Sequence, residues 1–401
     1  MSLFKEIPPT AGFPLSIKDF LKPSFPGSLE GDFKGYCGLG YARVTYSGTA
    51  AFYLILESLK KISSRKTVII PSFVCPLVAL AVARAGLKIE VCDIRQDSFD
   101  YDYDLLEKLC AANHDVLAVV AVHLGGIAVD FGSLERTVKK YGIFIIEDCA
   151  QSLGAEYNGR KTGALGDFSF YSLCRGKGLT IYEGGIIGAS RGEYAGVIDE
   201  TIASLVRDDY FSEALKILEL FGYWIFYRPS LFWFVYGLPQ LFWNLSGNSL
   251  RGVNEYFDVN FPMHKIGIFR ESVGRAQFGR LEQEIKKQRE KAVFYIRSLS
   301  GLKGVKVVRD AGSASSNYPY LTLIFDDISR RNNVLRGLRA AGVGVSQIYA
   351  SAITDYDYLK GIVPQRDCPA GRYIAAGHLT LSTSVFLGKD DLARAVTVIK
   401  K

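Results

Sequence analysis

Between residues 47 and 190 the chain alternates short apolar runs with segments of helical periodicity. KTVIIPS (66–72), KIEVCDI (88–94), VLAVVAVH (116–123) and GIFIIED (142–148) read as strands by their length and β-branched content. AAFYLILESLKKI (50–62), VALAVARAG (78–86) and SLERTVKKYG (133–142) carry apolar residues at helical spacing, and Gly86 closes the second. Apolar strands joined by amphipathic helices need cover on both faces. The segment therefore predicts an α/β fold with a mostly parallel sheet between helices. Functional groups in such a sheet gather at the carboxyl ends of the strands.

The flanking segments divide the rest. Residues 1–40 are rich in Gly and Pro and read as an extended arm, leading into a large domain over 41–195. Residues 271–299 read as one long charged helix. A strand (YLTLIF, 320–325), a helix (330–342), a strand-like VGVSQIY (343–349) and a last helix (389–401) follow it. These make residues 263–401 a smaller α+β domain. The insertion at 196–262 is different: eleven aromatic residues, Trp224, Trp233 and Trp243 among them, fall between Leu220 and Leu245. Arg228-Pro229 and Pro239 interrupt it, so neither apolar run reaches the ~20 residues of a membrane span. Short helices in a hairpin-like arrangement are expected. Each buried aromatic removes about 150–250 Å² from water, so the segment needs cover. Its own domains or a partner subunit are the first expectation. Peripheral membrane contact through 220–245 is the second, and a wall for a lipophilic substrate the third.

Composition narrows the classes. The 401 residues are 48% hydrophobic and 22% charged, which excludes a disordered chain. The seven cysteines are scattered without a CxxC pair, and the four histidines lack ligand spacing, so neither a disulfide framework nor a metal site is expected. The net charge of +7 is dispersed, which argues against a nucleic-acid partner. Gly125-Gly126 lacks the GxGxxG dinucleotide fingerprint. MSLFKEIPPTAGFPL has no basic region followed by an apolar stretch, so a cytoplasmic location is expected.

The chemistry concentrates in residues 142–190. A hydrophobic strand delivers Asp148 at its carboxyl end, and Lys177 follows between glycines in Arg175-Gly176-Lys177-Gly178. Ser172 stands just upstream and Glu183-Gly184-Gly185 just downstream. Pyridoxal 5′-phosphate (PLP) needs a lysine to form its Schiff base and a carboxylate to keep its ring nitrogen protonated. Its phosphate wants hydroxyls and backbone N–H groups, commonly at a helix N-terminus. Ser47-Gly48-Thr49-Ala50-Ala51, opening the first helix of the sheet region, offers such a cradle. Singly, each element has a plainer reading: a turn aspartate, a surface lysine, a helix N-cap. Their order along the chain is what points to PLP.

That order resembles the DegT-type sugar aminotransferases, PLP enzymes of fold type I. The matching pieces are SGTAA (47–51), IIPSF (69–73), VCDI (91–94), VHLGGIAVD (122–130), IIEDCAQSLGA (145–155), GDFSFYSLCRGKGL (166–179), EGG (183–185) and RAQFGRLEQ (275–283). The resemblance implies a large domain with a mostly parallel sheet, a smaller C-terminal domain and a homodimer. It implies that Lys177 carries the cofactor and shuttles the proton, that Asp148 pairs with the ring nitrogen, and that Gln151 lies at the phenolic oxygen. Ser172, Thr49 and Gly48, with the Ala50 backbone N–H, fall at phosphate positions. Two departures stand out. The position of the family's ring-stacking aromatic falls near Cys75, leaving Phe73 as the stacking candidate. Gly267-Ile268-Phe269-Arg270 lacks the family's Asn that reaches the partner's phosphate, leaving Arg270 and Arg275 as candidates to reach across. Relatives with His in place of the lysine are sugar dehydratases, so Lys177 implies transamination. The implied reaction moves an amino group from an amino-acid donor, glutamate or glutamine, to a keto group of a nucleotide-linked sugar, as in polysaccharide biosynthesis. A lipophilic or other non-sugar keto substrate, and a non-catalytic scaffold that kept the fold, stay open at this level.

Overall fold

The computed structural model describes residues 6–21, 27–239, 242, 257–310 and 312–401. Trp243 and the surrounding part of the insertion lie outside the described residues. Seven strands form the main sheet: β1 (Tyr41–Thr45), β2 (Thr67–Pro71), β3 (Lys88–Cys92), β4 (Val116–Val122), β5 (Phe144–Asp148), β6 (Phe168–Ser172) and β7 (Gly185–Ala189). Their order is β1-β7-β6-β5-β4-β2-β3, and β7 alone runs against its neighbours. Helices α2 (Gly48–Ile62) and α3 (Pro76–Arg84) cover one face, where Val68, Ile70, Val120 and Ile146 join their core. Helices α4 (Tyr103–Ala112) and α5 (Phe131–Val138) cover the other, over Ile69, Val119 and Ile145. Neighbouring residues of one strand thus enter opposite cores, which is why these strands read as unbroken apolar runs.

A second, antiparallel sheet of β8 (Val305–Val307), β9 (Tyr320–Phe325), β10 (Val345–Ser346) and β11 (His378–Ser382) has the order β8-β9-β11-β10. Asp93, from the VCDI stretch, joins it to the first. Its carboxylate accepts from the Ser72 hydroxyl at 2.6 Å and from the amides of Ala370 and Gly371 at 3.0 Å each. It thereby caps the helix Pro369–Gly377.

Three expectations change. Residues 1–40 are not wholly extended: a short 3₁₀ turn (Ile17–Phe20) and α1 (Leu29–Cys37) form there, the latter capped by Ser28 accepting from the Gly31 amide. The long charged helix is two, α9 (Ile268–Phe278) and α10 (Leu281–Leu299), broken at Gly279-Arg280. The break aims the Arg280 guanidinium at the Pro14 carbonyl and Asp19, at 3.0 and 2.6 Å. Of the strand-like 343–349 stretch, only Val345–Ser346 pairs.

The insertion forms short helices. α6 (Ala195–Leu205) leads into α7 (Tyr210–Phe226), which Asp209 caps by accepting from the Ser212 amide. α7 ends just before Arg228-Pro229, and α8 (Phe232–Val235) follows. Leu220, Tyr223, Tyr227 and Phe232 bury themselves against Leu15 and Val273. The opposite face is open: Phe211 is 75% exposed, Leu218 65% and Ile225 46%. No helix among the described residues is long and apolar enough to cross a membrane.

Candidate active site

The carboxyl ends of β4, β5 and β6 and the start of α2 meet at a cavity of about 480 Å³. Asp148, Gln151, Ser172, Lys177, Gly48 and Thr49 all line it. Two strands, the loops that follow them and a helix deliver these residues, so residues as far apart as 48 and 177 share one wall.

Asp148 ends β5 and is buried; its carboxylate accepts from the Ala150 amide at 2.9 Å. Burial pushes its carboxyl above the usual aspartate value, while the Ala150 N–H and the neighbouring Lys177 and His123 pull the other way. A cation placed against it would tip that balance toward the carboxylate. Lys177 sits in the loop between β6 and β7, where Gly176 takes the left-handed φ of 76° that turns the chain. Gln151 accepts at Oε1 from the Gly125 amide (2.9 Å) and from the Tyr320 hydroxyl. Its Nε2 takes no protein acceptor among the described residues.

Ser47 caps α2, its hydroxyl accepting from the Ala50 amide at 3.1 Å. This changes the expected role of Ala50, whose N–H serves the cap rather than a phosphate. The amides of Gly48 and Thr49 take no protein acceptor among the described residues and line the cavity at the positive end of the helix. The EGG stretch locks this start in place. A Cβ on Gly185 would lie 2.3 Å from the Ser47 carbonyl oxygen, so only glycine allows the approach.

Phe73 is not brought to the site. Ser72 is pinned to Asp93, and the Phe73 ring packs against His378 and Tyr349 with centroids 5.2 and 5.4 Å away. Cys75 and Tyr349 line the cavity instead. Arg270 does not reach outward either. It is fully buried, paired with Glu213 and donating to the carbonyls of Ile181 and Glu183. Arg275 is held by Asp32 at 3.0 Å.

Several cavity residues escaped the sequence reading. His123 directly follows β4 and lines the wall, a position the strand-end rule could have flagged. Its Nδ1 accepts from the Val129 amide (3.2 Å), so Nε2–H faces Glu147 at 2.9 Å. Glu147 and Cys149 lie close enough to His123 to suggest a metal cluster. Yet Glu147 also accepts the amides of Gly163, Leu165 and Gly166 at 2.7–2.8 Å, and its oxygens are committed to that loop. Arg175, Glu183 and the stretch Phe257–Pro262, beyond the expected blocks, complete the lining.

A lysine, a buried strand-end carboxylate and a helix start with free amides form the donor set that PLP requires, so the residues present fit that group. The family comparison agrees, matching residues 24–204 and 250–400 to the DegT/DnrJ/EryC1/StrS aminotransferases. The chain belongs to that family. Among its relatives, the UDP-4-amino-4,6-dideoxy-N-acetyl-beta-L-altrosamine transaminase of Campylobacter jejuni is 32% identical over 152 residues, 38% of this chain and 40% of the relative. That match thus spans two fifths of the relative's length. The UDP-N-acetyl-3-dehydro-alpha-D-glucosamine 3-aminotransferase of Acidithiobacillus ferrooxidans is 25% identical over 93% of this chain and 87% of its own. Among solved structures, the sugar aminotransferase CalS13 from Micromonospora echinospora superposes with a TM-score of 0.75 at 18% identity, covering 98% of this chain and 99% of that one. The PLP form of Spr1654 from Streptococcus pneumoniae gives 0.74 at 20%, covering 98% of each. At these identities the structural likeness establishes the family fold, α/β with a PLP-type large domain. The unmatched 205–249 segment contains α7 and α8.

Proposed function

We propose that this chain is a PLP-dependent aminotransferase that moves an amino group from glutamate or glutamine to a keto group of a nucleotide-linked sugar. The observation that carries the reading is the meeting of Lys177, Asp148 and the amide-bearing start of α2 in one cavity. The nucleotide-sugar transaminases among its relatives support the substrate class. Bound PLP supplies an electron sink that stabilises negative charge at the carbon losing its proton. Asp148 keeps the ring nitrogen protonated. Gly48, Thr49 and Ser172 hold the phosphate, and Gln151 donates to the ring oxygen. The Lys177 amine would accept and return the proton at the reacting carbon. Phe257 and Phe261 line the same cavity, and apolar rings there would disfavour water around this exchange. They also favour a second reading, a lipophilic keto substrate, which assays with keto-sugar nucleotides against lipid fractions separate from the first.

The same proposal divides the chain into an arm (1–40), a PLP-binding domain (41–195), a helical insertion (196–262) and a small domain (263–401). It takes the active form as a homodimer, in which the partner subunit covers the open face of α7 and Ile268, itself 86% exposed. The location is cytoplasmic, in keeping with seven free thiols. Borohydride reduction of the PLP-loaded protein followed by peptide mapping tests the assignment. A pyridoxyl group is expected on Lys177, and one found on any other lysine refutes it.

A further inference from the structure

Lys177 lies in a loop whose flanking carbonyls are both held by the N-terminal arm. The Thr10 hydroxyl donates to the Gly176 carbonyl at 2.8 Å, and the Phe13 amide donates to the Gly178 carbonyl at 3.1 Å. The arm is in turn held by α7 and the residue that ends it. The Tyr227 hydroxyl donates to the Thr10 carbonyl at 3.1 Å, and the Tyr223 hydroxyl to the Phe13 carbonyl at 3.2 Å. Two parallel relays result, Tyr227–Thr10–Gly176 and Tyr223–Phe13–Gly178, one on each side of Lys177.

The pieces are tightly fitted. The two tyrosine rings stack with centroids 4.5 Å apart, and both are buried. Gly12 threads between them and the loop: a Cβ there would stand 2.6 Å from the Tyr227 hydroxyl and 2.9 Å from the Gly176 Cα. The arm and insertion members of the relays, Thr10, Phe13, Tyr223 and Tyr227, lie outside the family match, which begins at residue 24 and skips 205–249, whereas Gly176 and Gly178 lie within it.

We infer that Tyr223 and Tyr227 are positioning residues for Lys177, acting through Thr10 and Phe13. The inference rests on the reading of Lys177 as the cofactor lysine. A buried hydroxyl removed from a carbonyl leaves that acceptor unpaired and the arm free to shift. The lysine backbone then samples a wider range, and its amine meets the cofactor less often in register.

The test is the double variant Tyr223→Phe, Tyr227→Phe, which keeps both rings and their packing. In the cofactor-free protein, amide hydrogen exchange at Arg175 and Lys177 is expected to quicken about tenfold, the scale set by one neutral hydrogen bond. In the PLP-loaded protein, the pH midpoint of the visible lysine–cofactor band is expected to move and PLP affinity to fall about tenfold. Tyr210→Phe, at a ring that is 83% exposed, is expected to change none of these. A lowered melting temperature with unaltered exchange, band midpoint and PLP affinity would reduce the tyrosines to packing and overturn the inference. Quickened exchange without any pyridoxyl label on wild-type Lys177 would uphold the clamp and remove the functional reading instead.

Discussion

Helices α2 and α7 make an instructive pair. Both are apolar, of 15 and 17 residues, and both begin with a side-chain cap, from Ser47 and Asp209. Nine residues of α2 are buried, whereas only Glu213, Leu220 and Tyr223 of α7 are. α2 lies between the sheet and the helices around it and offers the cavity its backbone amides. α7 lies at the rim and reaches the site through side chains: the tyrosine relays, Lys216 on Glu183 at 2.7 Å, and Glu213 on Arg270. Apolar content alone thus does not say which helix is core. What decides is whether another layer exists to receive both of its faces.

The largest expected effect belongs to the side of the site that α2 shares with the sheet. Asp148→Asn should fold, yet raise the barrier of the half-reaction with amino donor by about 3 kcal/mol, the scale of a broken buried charge pair. Single-turnover absorbance measures it. The cofactor-free variant should behave in the opposite sense. A carboxyl whose native value is raised binds more protons folded than unfolded, so its contribution to stability falls as pH rises above the ordinary aspartate value. Asp148→Asn is therefore expected to raise the melting temperature of the cofactor-free protein at neutral pH and leave it unaltered near pH 3, below the ordinary aspartate value.

Next come two substitutions that split α7 by face. Leu220→Ala, at a fully buried position, should cost about 2–5 kcal/mol in urea unfolding. Leu218→Gln, two residues away and 65% exposed, should change the monomer's stability by no more than about 0.5 kcal/mol. Light scattering of this second variant, beside vesicle co-sedimentation of the wild type, tells what covers that face. A dimer weakened by the substitution is expected. An unaltered dimer together with strong, Trp224- and Trp233-dependent liposome binding would replace the partner subunit with lipid. The smallest effect is that of Lys216→Met, which removes two partly exposed ion pairs, with Glu183 and Glu219. It should cost about 1 kcal/mol or less, read as a slight drop in urea midpoint with PLP affinity kept.

How much the sequence revealed follows the same division. β2, β4 and β5 were legible because strands covered on both faces read as continuous apolar runs. Lys177 and Asp148 were legible because PLP chemistry asks for those groups, and the order of blocks around them supplied the rest. β6 (FSFYS) and β7 (GIIGA) carry serines and glycines that blur a strand signal. Phe73 and Ala50 stand elsewhere than the resemblance implied because a local pattern does not show which partner wins: the Asp93 junction took the first region and the Ser47 cap used the second's amide. The break at Gly279-Arg280 stayed hidden since the charge pattern runs on unbroken, and only the arm's Pro14 and Asp19 explain where the arginine goes. Glu213 and Arg270 are 57 residues apart, and no spacing rule connects them.

The arm's contacts also set an order in time. Pro8 accepts from the Ser382 hydroxyl, 374 residues away, and the Thr10–Tyr227 bond closes a separation of 217. Contacts this remote form late, because the entropy of closing so long a loop must be met before they return anything. During synthesis the main sheet can assemble as soon as β7 has emerged, with Lys177 already in its loop. The clamp on that loop has to wait for α7, and the seat of the arm for β11, about 200 residues after Lys177. A nascent chain thus holds its lysine loosely until β11 is in place, which ties the grip on that loop to the folding of the small domain.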